Sequence, residues 1–91
     1  MNEPIELDAD AQRFVAVVDG HECELRFTWH GEVASFDSVQ VPKAVGGRGI
    51  AGHLTRHALD WARSQGHQVR PVCPYVQRWI QRHPDYADLV A

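Results

Sequence analysis

The sequence lacks the features that mark several large classes of protein. No apolar stretch approaches the roughly 20 residues that a membrane-spanning helix needs. Its 9 Lys and Arg form no basic run and are outnumbered by 12 Asp and Glu, so we expect no nucleic-acid partner. The acidic start, MNEPIELDADA, has neither the basic nor the apolar region of a signal peptide, so we expect no membrane association and a cytoplasmic location.

Cysteine is scarce as well. Cys23 and Cys73 alone cannot build a disulfide framework, and in a reducing compartment we expect both to be free thiols. The 91 residues are too few for two domains but enough for one sheet with helices around a single core. We therefore expect residues 1–11 to form a flexible N-terminal tail and residues 12–91 to form one domain, which we expect to be a monomer.

Apolar periodicity and turn residues predict the order β-β-β-α-β-α. Asp19-Gly20 is a strong hairpin signal, Gly66 is a typical helix stop, and Pro71 indicates an edge strand. The predicted elements are strands over Arg13–Val18, Cys23–Trp29 and Val33–Val41, a helix over Ile50–Gln65, a strand over Gln68–Cys73 and a short helix over Tyr75–Arg82.

The most informative segment is VPKAVGGRGIAGHL, in which a strand ends in a Gly-rich turn that opens into a helix. The glycines leave main-chain N–H groups unobstructed, and the helix start near Ile50 adds unpaired amides, so the junction suits a pyrophosphate. An ordinary turn is the alternative. A crossover helix should join parallel neighbouring strands, which brings the turn and Cys73 to the same strand ends and predicts a functional cleft there.

The segment GGRGIAGHLTRHALDWARSQGHQVRPVCPYVQRWIQRHPDYADL resembles the small, minimal GNAT-type N-acetyltransferase family. Members of that family read close to RGQGIA, ALDWAR, V-P-L-C-P and RHPEY, and the resemblance runs from about Phe14 to Val90. It implies an α+β, minimal GNAT-like fold: a mixed sheet with a crossover helix after the third strand and a short C-terminal helix. It also implies acetyl-CoA as the cofactor and an amine, on a protein or a small molecule, as the acceptor.

The resemblance also assigns parts of acetyl-CoA to residues of this chain. The pantetheine arm would pair with the main chain near Val39 and Val41, and the thioester would end beside Cys73. Arg48 would add electrostatic support, although a solvated surface arginine is an equal alternative. The pyrophosphate would lie on the amides of Gly47, Arg48, Gly49, Ile50 and Ala51.

Two positions depart from the family pattern. Gly46 stands where Arg or Gln is usual, so the phosphate site has one polar anchor fewer. Gln40 stands where members tend to have Glu, and its amide cannot accept a proton. If that Glu is the general base in relatives, the amine here would need water or a nearby His to take its proton.

Cys73 is the candidate catalytic residue. It lies between a strand end and a helix start, where the helix dipole favours the thiolate, which is the competent acyl acceptor. It would form an acetyl-thioester intermediate or polarise the thioester, and a cysteine that only packs is the alternative. Cys23 alternates with apolar residues up to Trp29, which predicts that both face the core.

The remaining candidates have stronger structural interpretations. His53 and His57 have the spacing of a chelating pair, but no further ligand motif accompanies them, so we expect no metal. Tyr86 would act as an acid in the cleft or, more simply, would pack. Two other functions stay open beside the acetyltransferase: a non-catalytic module that binds or senses acyl-CoA through a protein partner, and a protein–protein adaptor without a ligand.

Overall fold

The structure, a computed structural model, describes residues 3–91 of the chain. Short 3-10 helices span Lys43–Val45 and Pro84–Leu89. The strands and α-helices are β1 (Glu6–Asp8), β2 (Arg13–Val18), β3 (His21–His30), β4 (Val33–Gln40), α1 (Ile50–Gln65), β5 (Gln68–Pro71) and α2 (Pro74–Arg82).

The five strands form one mixed sheet in the order β1-β2-β3-β4-β5. Neighbours from β1 to β4 are antiparallel, whereas β4 and β5 are parallel because α1 connects them. The α+β class, the mixed sheet and the crossover helix are thus confirmed, and they are consistent with the minimal GNAT-like fold. The edge position of β5 agrees with the prediction from Pro71, whose missing N–H removes a ladder donor.

The hairpin between β2 and β3 follows from its turn residues. Asp19 and Gly20 both have positive φ, 49° and 78°, which is the backbone of a two-residue turn that suits the right-handed twist of paired strands. Pairing then runs from Val18 opposite His21 to Arg13 opposite Arg26. The predicted hairpin is confirmed.

Helix α1 covers one face of the sheet with its apolar stripe. Leu54, Ala58 and Leu59 are fully buried in a core that also contains Phe14 and Phe36. The helix ends where Gly66, at φ 74°, donates its N–H to the carbonyls of the last turn. Side chains on the opposite face of β3 and β5 are largely exposed, which leaves that face of the sheet open.

Several boundaries differ from the predictions. Strand β3 spans His21–His30 and is thus longer at both ends than the predicted Cys23–Trp29. The expected tail over residues 1–11 is wrong for Glu6–Asp8, because these residues use the free edge of β2 as β1; residues 1–2 lie outside the described part. Strand β5 ends at Pro71 instead of Cys73, and α2 begins at Pro74, since Pro is well suited to a first helical position. Strand β4 ends at Gln40, one residue before the predicted end.

The three tryptophans differ in burial. Trp79 is buried and Trp61 packs on the core, but Trp29 is 37% exposed, so its predicted core position is wrong. It lies at the end of β3, where its ring contacts Trp61 and His67 at centroid distances of 5.7 and 4.7 Å. An alternating pattern predicts the face of a residue but not whether the core extends as far as the strand end.

Candidate functional site

The site is built around the place where β4 and β5 separate. Their pairing runs from Val33 opposite Gln68 to Phe36 opposite Pro71. The Cys73 N–H then donates to the Phe36 carbonyl at 2.9 Å, beyond the last strand pair. Beyond this hydrogen bond, residues 38–40 of β4 pair with β3 alone, because β5 ends at Pro71. The edge of β4 after Phe36 therefore has no strand partner beside Cys73 within residues 3–91, and this opening between β4 and the end of β5 is called the split below.

A β-bulge lies at the start of this split. Phe27 of β3 is opposite Phe36, but Arg26 is opposite Ser38, so Asp37 is an extra residue without a Cα partner. A bulge bends its strand and turns side chains to new directions. Here it separates the part of β4 that pairs with β5 from the part that lines the split.

The register shows which way the main chain of β4 faces beyond the bulge. The Phe27 N–H donates to the Gln12 carbonyl on the β2 side, and Leu25, two residues earlier, has the same orientation. Val39 of β4 is opposite Leu25. Because the main chain of Leu25 faces β2, Leu25 and Val39 form a non-hydrogen-bonded antiparallel pair. The peptide groups of Val39 point away from β3 and into the split.

The Gly-rich loop lies at the same end of β4 and leads into α1. Gly47 and Gly49 both have φ 77°, and an added Cβ at either would meet no atom within 4 Å, so the loop main chain is open to a ligand. The first intrahelical bond runs from the His53 N–H to the Gly49 carbonyl. The N–H groups of residues 50–52 thus have no partner within the helix, and an anion such as pyrophosphate would satisfy them.

Arg48 is the charged side chain of this loop. Its Nη1 donates to Asp19 Oδ2 at 2.7 Å, and both side chains are exposed. The ion pair joins the loop to the hairpin turn of β2 and β3. The guanidinium predicted to support a phosphate is consequently held by a carboxylate.

Cys73 occupies the N-cap position of α2. Its side chain is 7% exposed, its carbonyl accepts the first helical N–H, from Gln77, and its peptide bond to Pro74 is trans. Cys23, in contrast, is fully buried in the core as predicted, and burial raises the pKa of its thiol. Of the two thiols, Cys73 is the one beside the split.

Two aromatic residues near the start of α1, Tyr75 and Trp79, were not assigned to the site from the sequence. A Cβ added to Gly52 would come within 3.3 Å of Tyr75 Oη and 3.4 Å of Trp79 Nε1, so α1 and α2 approach closely at this glycine. Burial raises the pKa of the Tyr75 hydroxyl. The sequence did carry one signal for this contact, an isolated glycine inside a helical pattern.

Tyr86 is packed against α1. Its hydroxyl donates to Asp60 Oδ1 at 2.7 Å and accepts from Arg56 Nη1 at 3.3 Å. Burial, with the hydrogen bond to Asp60, raises the pKa of Tyr86. These contacts tie the C-terminal 3-10 helix to α1 and favour the packing interpretation over a role as an acid.

The two histidines of α1 have separate partners. A ring nitrogen of His53 lies 3.1 Å from the Glu3 carbonyl, and His57 packs edge-on against Phe14. Burial lowers the pKa of His57, and the neighbouring charge of His53 adds to this. Within residues 3–91, no group of three or more His, Cys, Asp or Glu side chains has the arrangement of a metal site.

A cavity of about 550 Å³ lies at the end of β4. It is lined by Val39 and Val41, the two residues predicted to pair with the pantetheine arm, and by Gln40, which stands where the family pattern has Glu. Its lining residues are Glu22, Glu24, Val39, Gln40, Val41 and Pro42.

Comparison with known proteins agrees with this architecture. Residues 13–89 match the family described as GCN5-related N-acetyl-transferase. The chain belongs to this family. The chicken (Gallus gallus) Protein NATD1 is 29% identical over 86 residues, which cover 89% of this chain and 78% of that protein. Protein NATD1 of Mus musculus is 30% identical with the same coverage, and that of Homo sapiens is 29% identical over 86 residues, covering 76% of its length.

Membership of this family confirms the resemblance found in the sequence and makes the chain an acetyltransferase-type domain. The helices described within residues 3–91 include none with the length and apolar character needed to span a bilayer.

Proposed function

We propose that this protein transfers the acetyl group of acetyl-CoA to an amine. The observation that carries the proposal is the split between β4 and β5, with the peptide groups of Val39 facing it and the open helix start of α1 at its end. Main-chain groups along β4 would pair with the pantetheine arm at Val39 and Val41. The amides of residues 47–51 would hold the pyrophosphate, in line with that arm.

Cys73 is proposed as the residue nearest the reacting thioester. It occupies the N-cap of α2 beside the split. After losing its proton to solvent, its sulfur would attack the acetyl carbon while the bond to the CoA sulfur breaks and CoA leaves as a thiolate. An incoming amine would then take the acetyl group from Cys73. In the alternative route, the amine attacks acetyl-CoA directly and Cys73 only lines the thioester.

Binding of CoA is the first test of this function. An NMR titration should shift the amides of residues 39–54 and 73–76, which surround the split and the loop. Gly49→Asp should weaken CoA binding by about tenfold or more, because a carboxylate would face the phosphates at the helix start. Gly31→Asp is the matched control, since Gly31 also has positive φ and open surroundings but lies at the other end of β4.

Shifts that avoid the loop, or a Gly49→Asp variant that binds CoA like the Gly31→Asp control, would refute the phosphate site. If the protein does not bind CoA at all, the acetyltransferase function is refuted. The protein–protein adaptor without a ligand is then the remaining candidate.

The role of Cys73 is tested by intact-mass measurement after incubation with acetyl-CoA and no amine. If an acetyl-enzyme intermediate forms, the wild type and Cys23→Ala should each gain the mass of one acetyl group, and Cys73→Ala should gain none. Alkylation of Cys73 should also outpace that of Cys23, whose thiol pKa is raised by burial, and CoA should slow it. Direct transfer predicts no trapped acetyl group and much activity left in Cys73→Ala.

A non-catalytic acyl-CoA module is the second candidate. Gln40 and Gly46 favour it, because they remove a carboxylate and a polar phosphate anchor that the family pattern carries. Both candidates predict CoA binding, but only the enzyme predicts turnover of acetyl-CoA with amines.

A further inference from the structure

We propose that Asp37, held by Thr28 on the open face of the sheet, binds the ammonium group of the acceptor amine. This inference rests on the proposed acetyl transfer and assigns a residue that positions its acceptor. It concerns the face of the sheet that α1 does not cover, where an acceptor can approach the split.

Asp37 lies at the point where the two strands separate. It is the residue directly after Phe36, whose carbonyl accepts the Cys73 N–H in a backbone hydrogen bond beyond the last strand pair of β4 and β5. It is also the extra residue of the bulge. A carboxylate at this position stands beside the start of the split, where the thioester is proposed to end.

The contact with Thr28 fixes the direction of the carboxylate. The Thr28 hydroxyl donates to Asp37 Oδ2 at 2.9 Å, and Thr28 belongs to the exposed face of β3. This leaves Asp37 Oδ1 for another donor.

On this face Arg26 of β3 is paired with Glu24. His30 of β3 and Arg70 of β5 are basic residues near Asp37, but within residues 3–91 neither forms an ion pair with it. An ammonium group would supply positive charge and donors to this carboxylate.

A second observation at the same place points to a ligand. Ser35 is only 1% exposed, yet its Oγ has no hydrogen-bond partner among residues 3–91. It is opposite Thr28 in the sheet and precedes Asp37 by two residues on the same strand, so it shares this face. Buried hydroxyls are rarely left unpaired, because the loss of hydration costs free energy. An amine N–H bound at Asp37 would supply a donor for this oxygen.

The arrangement suits an amine that attacks a thioester. The ammonium docks against Asp37 and loses its first proton to water. The lone pair of the neutral amine then forms the C–N bond to the acetyl carbon while the C–S bond breaks and the sulfur leaves as a thiolate. The second N–H proton passes to water, so Asp37 holds the acceptor and takes no part in the proton transfer. The step is the same whether the sulfur belongs to CoA or to Cys73.

The test compares variants on two kinds of acceptor. For the cationic amine spermidine, Asp37→Asn should lower kcat/KM by about tenfold or more, mainly through KM, because one ion pair is lost. For an arylamine that is neutral at the assay pH, the loss should be clearly smaller. Thr28→Val keeps the carboxylate but removes its donor, and should give an intermediate loss. Asp85→Asn, an equal charge change on an exposed residue of the C-terminal 3-10 helix, is the control.

Amine binding is also measured without acetyl-CoA. Spermidine alone should shift the amides of Thr28, Ser35 and Asp37 in the wild type but not in Asp37→Asn, while both bind CoA equally. Equal kcat/KM values for Asp37→Asn and the control, or amine shifts centred elsewhere, would overturn this inference and leave the proposed function standing. A wild type that fails to bind CoA would instead refute the proposed function, and the amine titration would still decide the role of Asp37.

Discussion

Arg48 shows, at the scale of one residue, how an ion pair changes what a loop can bind. Its guanidinium lies in the Gly-rich loop, but Asp19 holds it at 2.7 Å. The carboxylate also places a negative charge close to a site proposed for pyrophosphate. Exposed pairs of this kind contribute little stability, so a bound phosphate can compete for the arginine.

Asp19→Asn should therefore strengthen CoA binding. The substitution frees Arg48 and removes a like charge, which we expect to raise the affinity by about twofold to tenfold. Isothermal titration calorimetry of the wild type, Asp19→Asn and the double variant with Arg48→Gln measures the effect. The gain should vanish in the double variant if the released arginine causes it. Unchanged or weaker binding by Asp19→Asn would place the phosphates away from Arg48.

The hydroxyl of Tyr86 joins two elements, because its hydrogen bonds to Asp60 and Arg56 hold the C-terminal 3-10 helix against α1. Tyr86→Phe should lower the free energy of unfolding by about 0.5–1.5 kcal/mol, since a partly buried hydrogen bond to the exposed Asp60 is lost. Urea unfolding measures this, with CoA binding and turnover expected to stay close to wild type. A large loss of turnover at unchanged stability would contradict the packing role and indicate that Tyr86 acts as a catalytic acid.

The packing of α1 on the sheet gives a second element-scale prediction, through His57. The His57 side chain is exposed overall, but partial loss of hydration beside Phe14 and the charge of His53 lower its pKa, with Asp60 acting in the opposite direction. The unfolded chain then binds the proton more readily than the folded one. Stability from this group is complete above the unfolded pKa of about 6.5 and is lost as the pH falls through the lowered folded pKa.

NMR titration of the histidine ring protons should thus give His57 a pKa below that of the urea-unfolded chain. His53→Gln should bring the pKa of His57 only part of the way back to its unfolded value. The substitution removes the like charge, but the partial loss of hydration of His57 remains. Replacing His57 by Gln should flatten the fall of the unfolding free energy below about pH 6.5. A His57 pKa at the unfolded value would show that the ring is hydrated in solution.

The elements that local patterns describe were predictable from the sequence. The bounds of α1 agree at both ends, because its apolar stripe and flanking glycines act within the segment itself. Strand β1 was missed because Leu7 is the single apolar residue of its three, and the strand exists only through pairing with β2. The β-propensity of three residues does not show whether a distant strand is available for pairing.

The site follows the same division. The connection rule for a crossover helix was enough to bring the Gly-rich loop and Cys73 to the ends of adjacent parallel strands. The bulge at Asp37 and the approach of Tyr75 to Gly52 were not predictable, because each depends on the register or packing of two elements. Residues that act through such contacts become visible only when the strands and helices are in place.

The charge of the whole molecule leads to the last prediction. The chain has a formal net charge of −3 and CoA carries several negative charges, so the long-range field opposes binding and the local contacts must supply the attraction. The proposed contacts are main-chain amides and one arginine that already has a partner. Raising the salt from about 50 to 300 mM should accordingly change the CoA dissociation constant by less than about threefold, since screening weakens both the repulsion and the few charged contacts. In Asp19→Asn the dependence on salt should become steeper, because Arg48 is then available to the phosphates. A steep loss of affinity with salt in the wild type would instead require a cationic binding surface, and the loop before α1 would no longer be the place to look for the pyrophosphate.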